Sequence, residues 1–500
     1  MRASRSRTTV ALLSAVVAAP VLFAAASPAG AQDAARHDGH RTTQADKAQR
    51  LAERLVKKTT GKSAYRHLEK FQQIADAHGG NRAAGTSGHK ASTAYVYDRL
   101  KKAGYKVAYQ DFTLYESRTL REGASVLSPE ARKLNARAFA FSKSTPQGGL
   151  RASLAAARVD DTPGCEADDY TSGTFTGKIA LVKRGACTFA EKEAAAAKAG
   201  AVGLVLYNHS GDQPVKGDLE SPENAHIPAV GITRAEGEKL AGQVAEGQVQ
   251  LSLDVATEAV PHKTRNVIAE TRGGRADRVV ALGAHLDSVP EGPGINDNGS
   301  GSAGLIEVAE KLAKATKGGK ELANKVRFGW WSAEELGLLG SDHYVKTLSA
   351  KQKKNIKLYL NFDMIASPNA AELVYDGDDS DKTGSGAGPA GSAQIEKLIN
   401  GFLDKKKVPH WGTDFDGRSD YGPFIDAGIP AGGTFTGAEG LKTEEQALKA
   451  GGKAGQPYDP NYHAKGDDIT NIDRKAFDLN IDVIAKAVGT YAQDLSSLRR

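Results

Sequence analysis

Three stretches of this chain are apolar almost end to end: Val279-Val280-Ala281-Leu282-Gly283-Ala284, Phe328-Gly329-Trp330-Trp331 within Lys325–Ser332, and Leu358-Tyr359-Leu360 within Ile356–Asp363. A strand without polar alternation has no face to give to water, so each must lie inside a sheet covered on both sides. Helical patterns follow them: Leu305, Ile306, Val308, Ala309 and Leu312 form one stripe within Ala303–Lys314, and Ala476–Leu495 closes the chain. This alternation predicts an α/β fold, a three-layer α/β/α sandwich around a mixed, largely parallel central sheet.

Upstream, Leu68, Phe71, Ile74 and Ala75 mark a helix beginning at Ser63, and Ser92–Ala103 reads as a second. Val107, Tyr109, Phe112 and Leu114 then alternate as in a half-buried strand. The texture changes from about Glu122 to Val260. Short strands (Lys178–Val182, Val202–Tyr207) flank an Ala-rich helix, Ala190–Ala199. We read 125–257 as a β-rich module inserted into a larger unit made of 63–124 and 258–500. Gly384–Gly391 and Gly437–Gly455 read as mobile Gly-rich loops.

Residues 1–31 read as a secretory signal peptide, with Arg2, Arg5 and Arg7, an apolar stretch from Val10 to Ala26, and Ala29-Gly30-Ala31 before the cleavage point. Residues 32–62 are polar and charged and read as a flexible leader or pro-segment. With 40% apolar and 25% charged residues, the rest has ample material for a core, which excludes a disordered chain. The net charge of +6 is spread out, with no Lys/Arg block among aromatics, so nucleic acid is not an expected partner. No later segment is apolar enough to span a membrane. The expectation is a secreted, extracellular monomer, free of the membrane after signal removal. Cys165 and Cys187 fit that oxidising compartment as a disulfide closing a loop of about 20 residues, worth roughly 3 kcal/mol in the chain-entropy model.

Chemistry concentrates at the strand ends, where α/β sheets bind ligands. The first apolar strand finishes in His285-Leu286-Asp287. A Gly-flanked turn, Gly294-Ile295-Asn296-Asp297-Asn298-Gly299, follows, and its Asp297 has one carboxylate oxygen for each of two cations. The next strand runs into Glu334-Glu335, the third ends at Asp363, and Tyr462-His463 lies in a polar loop before the last helix. Each piece alone has a plain structural reading: an N-cap, a wet helix start, a turn. Their conjunction gives two histidines, two aspartates and one glutamate, the N/O ligand mix of zinc, with Glu334 left over as a base.

His285-x-Asp287, Asn296-Asp297-Asn298-Gly299-Ser300-Gly301, Ala333-Glu334-Glu335-x-Gly337-x-x-Gly340-Ser341, Asn361-Phe362-Asp363-Met364, Arg418-Ser419-Asp420 and Tyr462-His463 together resemble the M28 zinc aminopeptidases, including the secreted Streptomyces type. Gly177–Val182, Arg184-Gly185-x-Cys187-x-Phe189, Ala199-Gly200-Ala201 and Ile227-Pro228-Ala229-Val230 resemble a protease-associated (PA) domain. The resemblance implies two Zn2+ per chain, one on His285 and Asp363, the other on Glu335 and His463, bridged by Asp297. It makes Glu334 the general base, Asp287 a carboxylate behind the ligands, Tyr462 a polariser of the scissile carbonyl, and Arg418 a residue lining or bracing the site. The implied substrates are peptide or protein N-termini, with large apolar residues such as Leu preferred. Some secreted relatives have cysteines flanking the Tyr-His loop; this chain has none there. Asp467, Asp468 and Asp473 are candidates for Ca2+, although nothing in the pattern supports calcium over a solvated acidic loop. The competing readings are a carboxypeptidase of the same fold, which needs a cationic pocket, a single-zinc glutaminyl cyclase, and a binding protein that has lost its ligands.

Overall fold

The computed structural model describes residues 43–171, 174–384 and 386–499. The expected signal, 1–31, lies outside the described residues, as does the first part of the expected leader.

The apolar runs form the middle of an eight-stranded mixed sheet. Its four central strands, Asn324–Trp331, Arg275–His285, Ile356–Phe362 and Ala431–Phe435, are mutually parallel in that order. On one side the sheet continues through Ala256–Glu270 and then Lys106–Arg121, each antiparallel to the strand before it, and on the other through Leu373–Tyr375 and Trp411–Thr413. The two-residue period of a strand divides each run between two cores. Val280, Leu282 and Ala284 join Phe328, Trp330 and Leu360 beneath the helices Gly61–Ala77, Ser87–Lys102, Gly301–Ala315 and Arg474–Tyr491. Val279 and Ala281 join Trp331, Tyr359, Tyr344 and Phe424 on the opposite face, where Tyr359 and Phe424 stack at 3.7 Å. Each Val, Leu or Phe among these contributes roughly 1.5–3 kcal/mol on burial. The three layers expected from the sequence are present.

Strands Lys106–Arg121 and Ala256–Glu270 pair along their whole length, from Lys106 opposite Glu270 to Arg121 opposite Ala256. This ribbon leads out to the insert and back. The insert has its own eight-stranded sheet, from Ala124–Ser128 to Gln250–Leu253, with helices Phe189–Lys198 and Arg234–Glu246. Cys165 and Cys187 are disulfide-bonded, with Cα atoms 5.9 Å apart.

Two expectations are corrected. The flexibility expected of 32–62 does not hold from Thr43 onward. Gln44–Lys58 is a helix, opened by a Thr43/Asp46 capping box, and Ala48, Leu51, Ala52 and Leu55 are buried against Arg474–Tyr491. The four apolar positions make only a narrow stripe on a charged helix, which composition conceals. The Gly437–Gly455 loop contains a helix, Glu444–Ala450, with a Thr443/Gln446 capping box.

Candidate functional site

The parallel strands end together, and five segments converge there. His285 closes its strand, Asp363 follows Ile356–Phe362, and Glu334 and Glu335 follow Asn324–Trp331. Asp297 lies in the irregular turn Ile295–Ser300, where the Asp297–Asn298 peptide is cis. His463 enters from the loop before the last helix.

The Asp297 carboxylate is split between two groups. Its Oδ1 is 3.1 Å from His285 Nε2, which is also 3.3 Å from Asp363 Oδ1. Its Oδ2 is 3.3 Å from His463 Nε2, which is 2.9 Å from Glu335 Oε2. Glu334 Oε2 stands back, 3.9 Å from His285 Nε2. The adjacent glutamates therefore diverge, Glu334 into a small pocket and Glu335 toward His463. Ala333, Met364 and His463 hold positive φ of 59°, 46° and 55°. Such conformations cost about 1–3 kcal/mol each and cluster where a side chain must be aimed.

The charges are unbalanced. Burial, joined by the neighbouring Asp297, pushes the Glu335 carboxyl up to about 7. Burial likewise raises Glu334 well above the carboxylate range, with Asp363, Asp420 and Glu335 adding to it. Burial opposes a charged imidazole at His285, yet Asp363 and Glu334 outweigh it and draw its pKa well above the ordinary value. Glu335 Oε1 and Asp363 Oδ1 are buried and have no hydrogen-bond partner among the described residues. Converging carboxylates, two Nε2 atoms and two orphaned oxygens suit divalent cations, and the donor set suits zinc.

Surrounding residues hold these groups in place. His285 Nδ1 lies 3.1 Å from the Asp287 carbonyl oxygen, and donating there turns Nε2 toward Asp297 and Asp363. The Asp287 carboxylate sits 3.7 Å from that ring and instead accepts from the Glu334 backbone N–H. Tyr462 stacks on His463 at 3.8 Å, and its hydroxyl accepts from Arg418 Nη2 at 3.3 Å. Arg418 lines the small pocket, but its Nη1 is paired with Glu439 at 2.9 Å.

Residues 266–488 match the model of peptidase family M28, and 150–240 match the PA domain. A Mycobacterium tuberculosis protein named probable lipoprotein aminopeptidase is 45% identical over 432 residues, covering 86% of this chain and 84% of its own. The chain belongs to peptidase family M28. Leucine aminopeptidase 2 of Trichophyton tonsurans is 44% identical over 429 residues, 86% of this chain and 83% of its own. The solved aminopeptidase from Aneurinibacillus sp. strain AM-1 matches with a TM-score of 0.63 at 25% identity, over 87% of this chain and 95% of that one. A zinc aminopeptidase from Bacillus subtilis matches at 0.52 and 27%, over 86% and 94%.

Within this M28 chain, several supporting residues escape sequence reasoning. The His463 loop, which lacks flanking cysteines, is tied down by buried polar groups. Asp467 accepts from the Asn296 and Asp297 backbone N–H groups at 2.8 and 2.9 Å, and Asp459 accepts from Asn296 Nδ2 at 2.7 Å. Asn471 Nδ2 donates to both aspartates. The candidate calcium acids thus have protein donors: Asp468 accepts from Thr470, and Asp473 caps the last helix. Ser419 Oγ donates to Asp363 Oδ2 at 2.5 Å and accepts from Asn361 Nδ2. Arg82, fully buried, donates to the Leu286, Pro293 and Gly294 carbonyls that frame the Asp297 turn. Ser419 had a signal in its place inside Arg418-Ser419-Asp420, and Asp467 stood out only as a calcium candidate.

Proposed function

We propose that this chain is a secreted, monomeric di-zinc aminopeptidase that hydrolyses the N-terminal residue from peptides. In this reading 63–124 and 258–500 form the peptidase domain and 125–257 the PA insert. The observation that carries it is the divided Asp297 carboxylate, with one oxygen on the His285–Asp363 side and the other on the His463–Glu335 side. Those five residues would hold the metals. Zinc, when bound, supplies Lewis-acid polarisation of the substrate carbonyl and makes hydroxide available near neutral pH.

The chain's own groups do the rest. Glu334, lining the pocket and standing back from His285 Nε2 at 3.9 Å, takes the proton of the attacking water and passes it to the leaving amine nitrogen. Asp287 fixes the Glu334 backbone. Because Arg418 donates to the Tyr462 oxygen, the Tyr462 hydroxyl proton is free to face the substrate's carbonyl oxygen. Carboxylates at the pocket counter the substrate's terminal ammonium. Met364, Phe435 and Ala438 in the lining suit an apolar first side chain such as Leu, while Asp414 and Asp416 are the features favouring a basic one. A carboxypeptidase is disfavoured because Arg418, the cation it would require, is paired with Glu439.

The test combines metal analysis with a panel of aminoacyl anilides. The reading expects two zincs per chain and turnover of Leu-anilide above Lys-anilide. It expects Glu334→Gln to keep its metal and lose about 10²–10⁴-fold in turnover. A single tightly held zinc, activity confined to N-blocked peptides, or a Glu334→Gln enzyme near wild-type rate would each reject it.

A further inference from the structure

The centre has a second approach besides the small pocket. That pocket, about 80 Å3, touches Glu334, His285 and Asp363. A groove of about 1400 Å3 reaches the centre at Glu335 and runs out between the peptidase body and the insert. It is larger than the roughly 300–1,000 Å3 that small-molecule sites occupy. On the peptidase wall, Leu336, next to the ligand Glu335, is 54% exposed. On the insert wall stand Phe141 and a loop carrying Asp218, Glu220 and Glu223.

The charges along this groove differ in kind. Glu116 is paired with Arg118 and His262, and Asp342 with Lys346. Arg184 lies over the Phe189 ring and reaches Asn208. Asp218, Glu220 and Glu223 are all exposed, and none forms an ion pair among the described residues. Among the described residues, the Asp218 side chain accepts only the Glu220 backbone N–H, at 2.7 Å. The insert therefore turns uncompensated negative charge toward a cleft that begins at the centre.

An enzyme that removes one residue from an N-terminus requires two unequal spaces, a small one for that residue and an open one for the remaining chain. The proportions and the positions of Glu334 and Glu335 divide the spaces that way. We propose that the groove holds the peptide downstream of the scissile bond, and that Asp218, Glu220 and Glu223 of the insert favour substrates with Lys or Arg in that stretch. The inference rests on the aminopeptidase reading above and deepens it. It gives the insert a role in substrate choice without a part in the chemistry.

The test measures kcat/KM on Leu-anilide, which does not extend along the groove, and on Leu-initiated hexapeptides that differ only in carrying Lys or Glu at positions three to five. The wild type is expected to favour Lys over Glu by at least about threefold, more at low ionic strength and less in salt. Asp218→Asn/Glu220→Gln/Glu223→Gln, made at exposed positions with near-isosteric amides, is expected to keep Leu-anilide turnover and lose the Lys preference. Equal wild-type rates on the two hexapeptides, or a preference that survives in the triple variant, would overturn the proposal while leaving the aminopeptidase reading intact. Absence of Leu-anilide turnover in the metal-loaded wild type would overturn both.

Discussion

Asp467 is only 2% exposed, and its carboxylate holds two successive backbone N–H groups, those of Asn296 and Asp297. Replacing an oxygen by an amide nitrogen sets a donor against a donor. Asp467→Asn is therefore expected to lose one of these bonds, at a cost of about 1–3 kcal/mol, and to let the Asp297 turn drift. Residues that orient ligands typically carry 10–100-fold in metal affinity. We expect a loss of about that size when the variant competes with a chelator for zinc, with circular dichroism unchanged. Wild-type affinity would show that the turn holds Asp297 without Asp467. This residue also marks how far the sequence could be read. His285, Asp297, Glu334, Glu335 and Asp363 were legible because each sits at the end of an apolar strand or in a Gly-flanked turn. Asp467 lies 170 residues from its partners in a polar loop, where a carboxylate looks the same whether it faces water, calcium or a backbone amide.

Strand Leu373–Tyr375 meets the last helix through Glu372, whose Oε2 accepts from Asn480 Nδ2 at 3.0 Å, while Thr434 Oγ1 donates to Asn480 Oδ1. Burial pushes the Glu372 carboxyl up to about 8, well above its ordinary value. The native state then binds more protons than the unfolded chain between about pH 4.5 and 8, so stability falls as pH rises through that window and levels off above it. Glu372→Gln keeps the shape without the titration. Its unfolding free energy is expected to vary less from pH 5 to 8, leaving it more stable than wild type at pH 8 by on the order of a few kcal/mol. Denaturant melts across that range check this, and parallel pH profiles for the two proteins would refute it. Element boundaries followed the same logic of burial. The strands around Val279, Phe328 and Leu358 were legible from apolar runs. Ala431–Phe435 was not, although it is central: it contains Gly432, where a Cβ would come within 2.5 Å of Ile395, and Gly433 at φ 146°. Ala256–Glu270 was not legible over most of its length, because pairing with Lys106–Arg121 carries it well past its apolar part.

At the scale of the whole molecule, the layer order and the insert were legible because strand–helix alternation stops and resumes around it. What could not be read was where the folded body begins. A short stripe of alanines and leucines among charges resembles a leader until a partner surface is known. That surface is Arg474–Tyr491: Gly489 lies so close that a Cβ there would come within 2.5 Å of the Ala52 backbone, and Leu51 and Leu55 are 2% and 0% exposed. The chain thus closes its helical layer by packing its first described helix on its last long one. Deleting a fully buried leucine side chain costs about 2–5 kcal/mol, and removing the helix takes two leucines and exposes the partner's apolar face. A chain starting at Thr43 is therefore expected to melt several degrees above one starting at Ser63, and the shorter chain to show more exposed apolar surface by dye binding. A processing site between these points would separate the helix from the body it covers. Equal melting temperatures would return Gln44–Lys58 to the role of a dispensable leader.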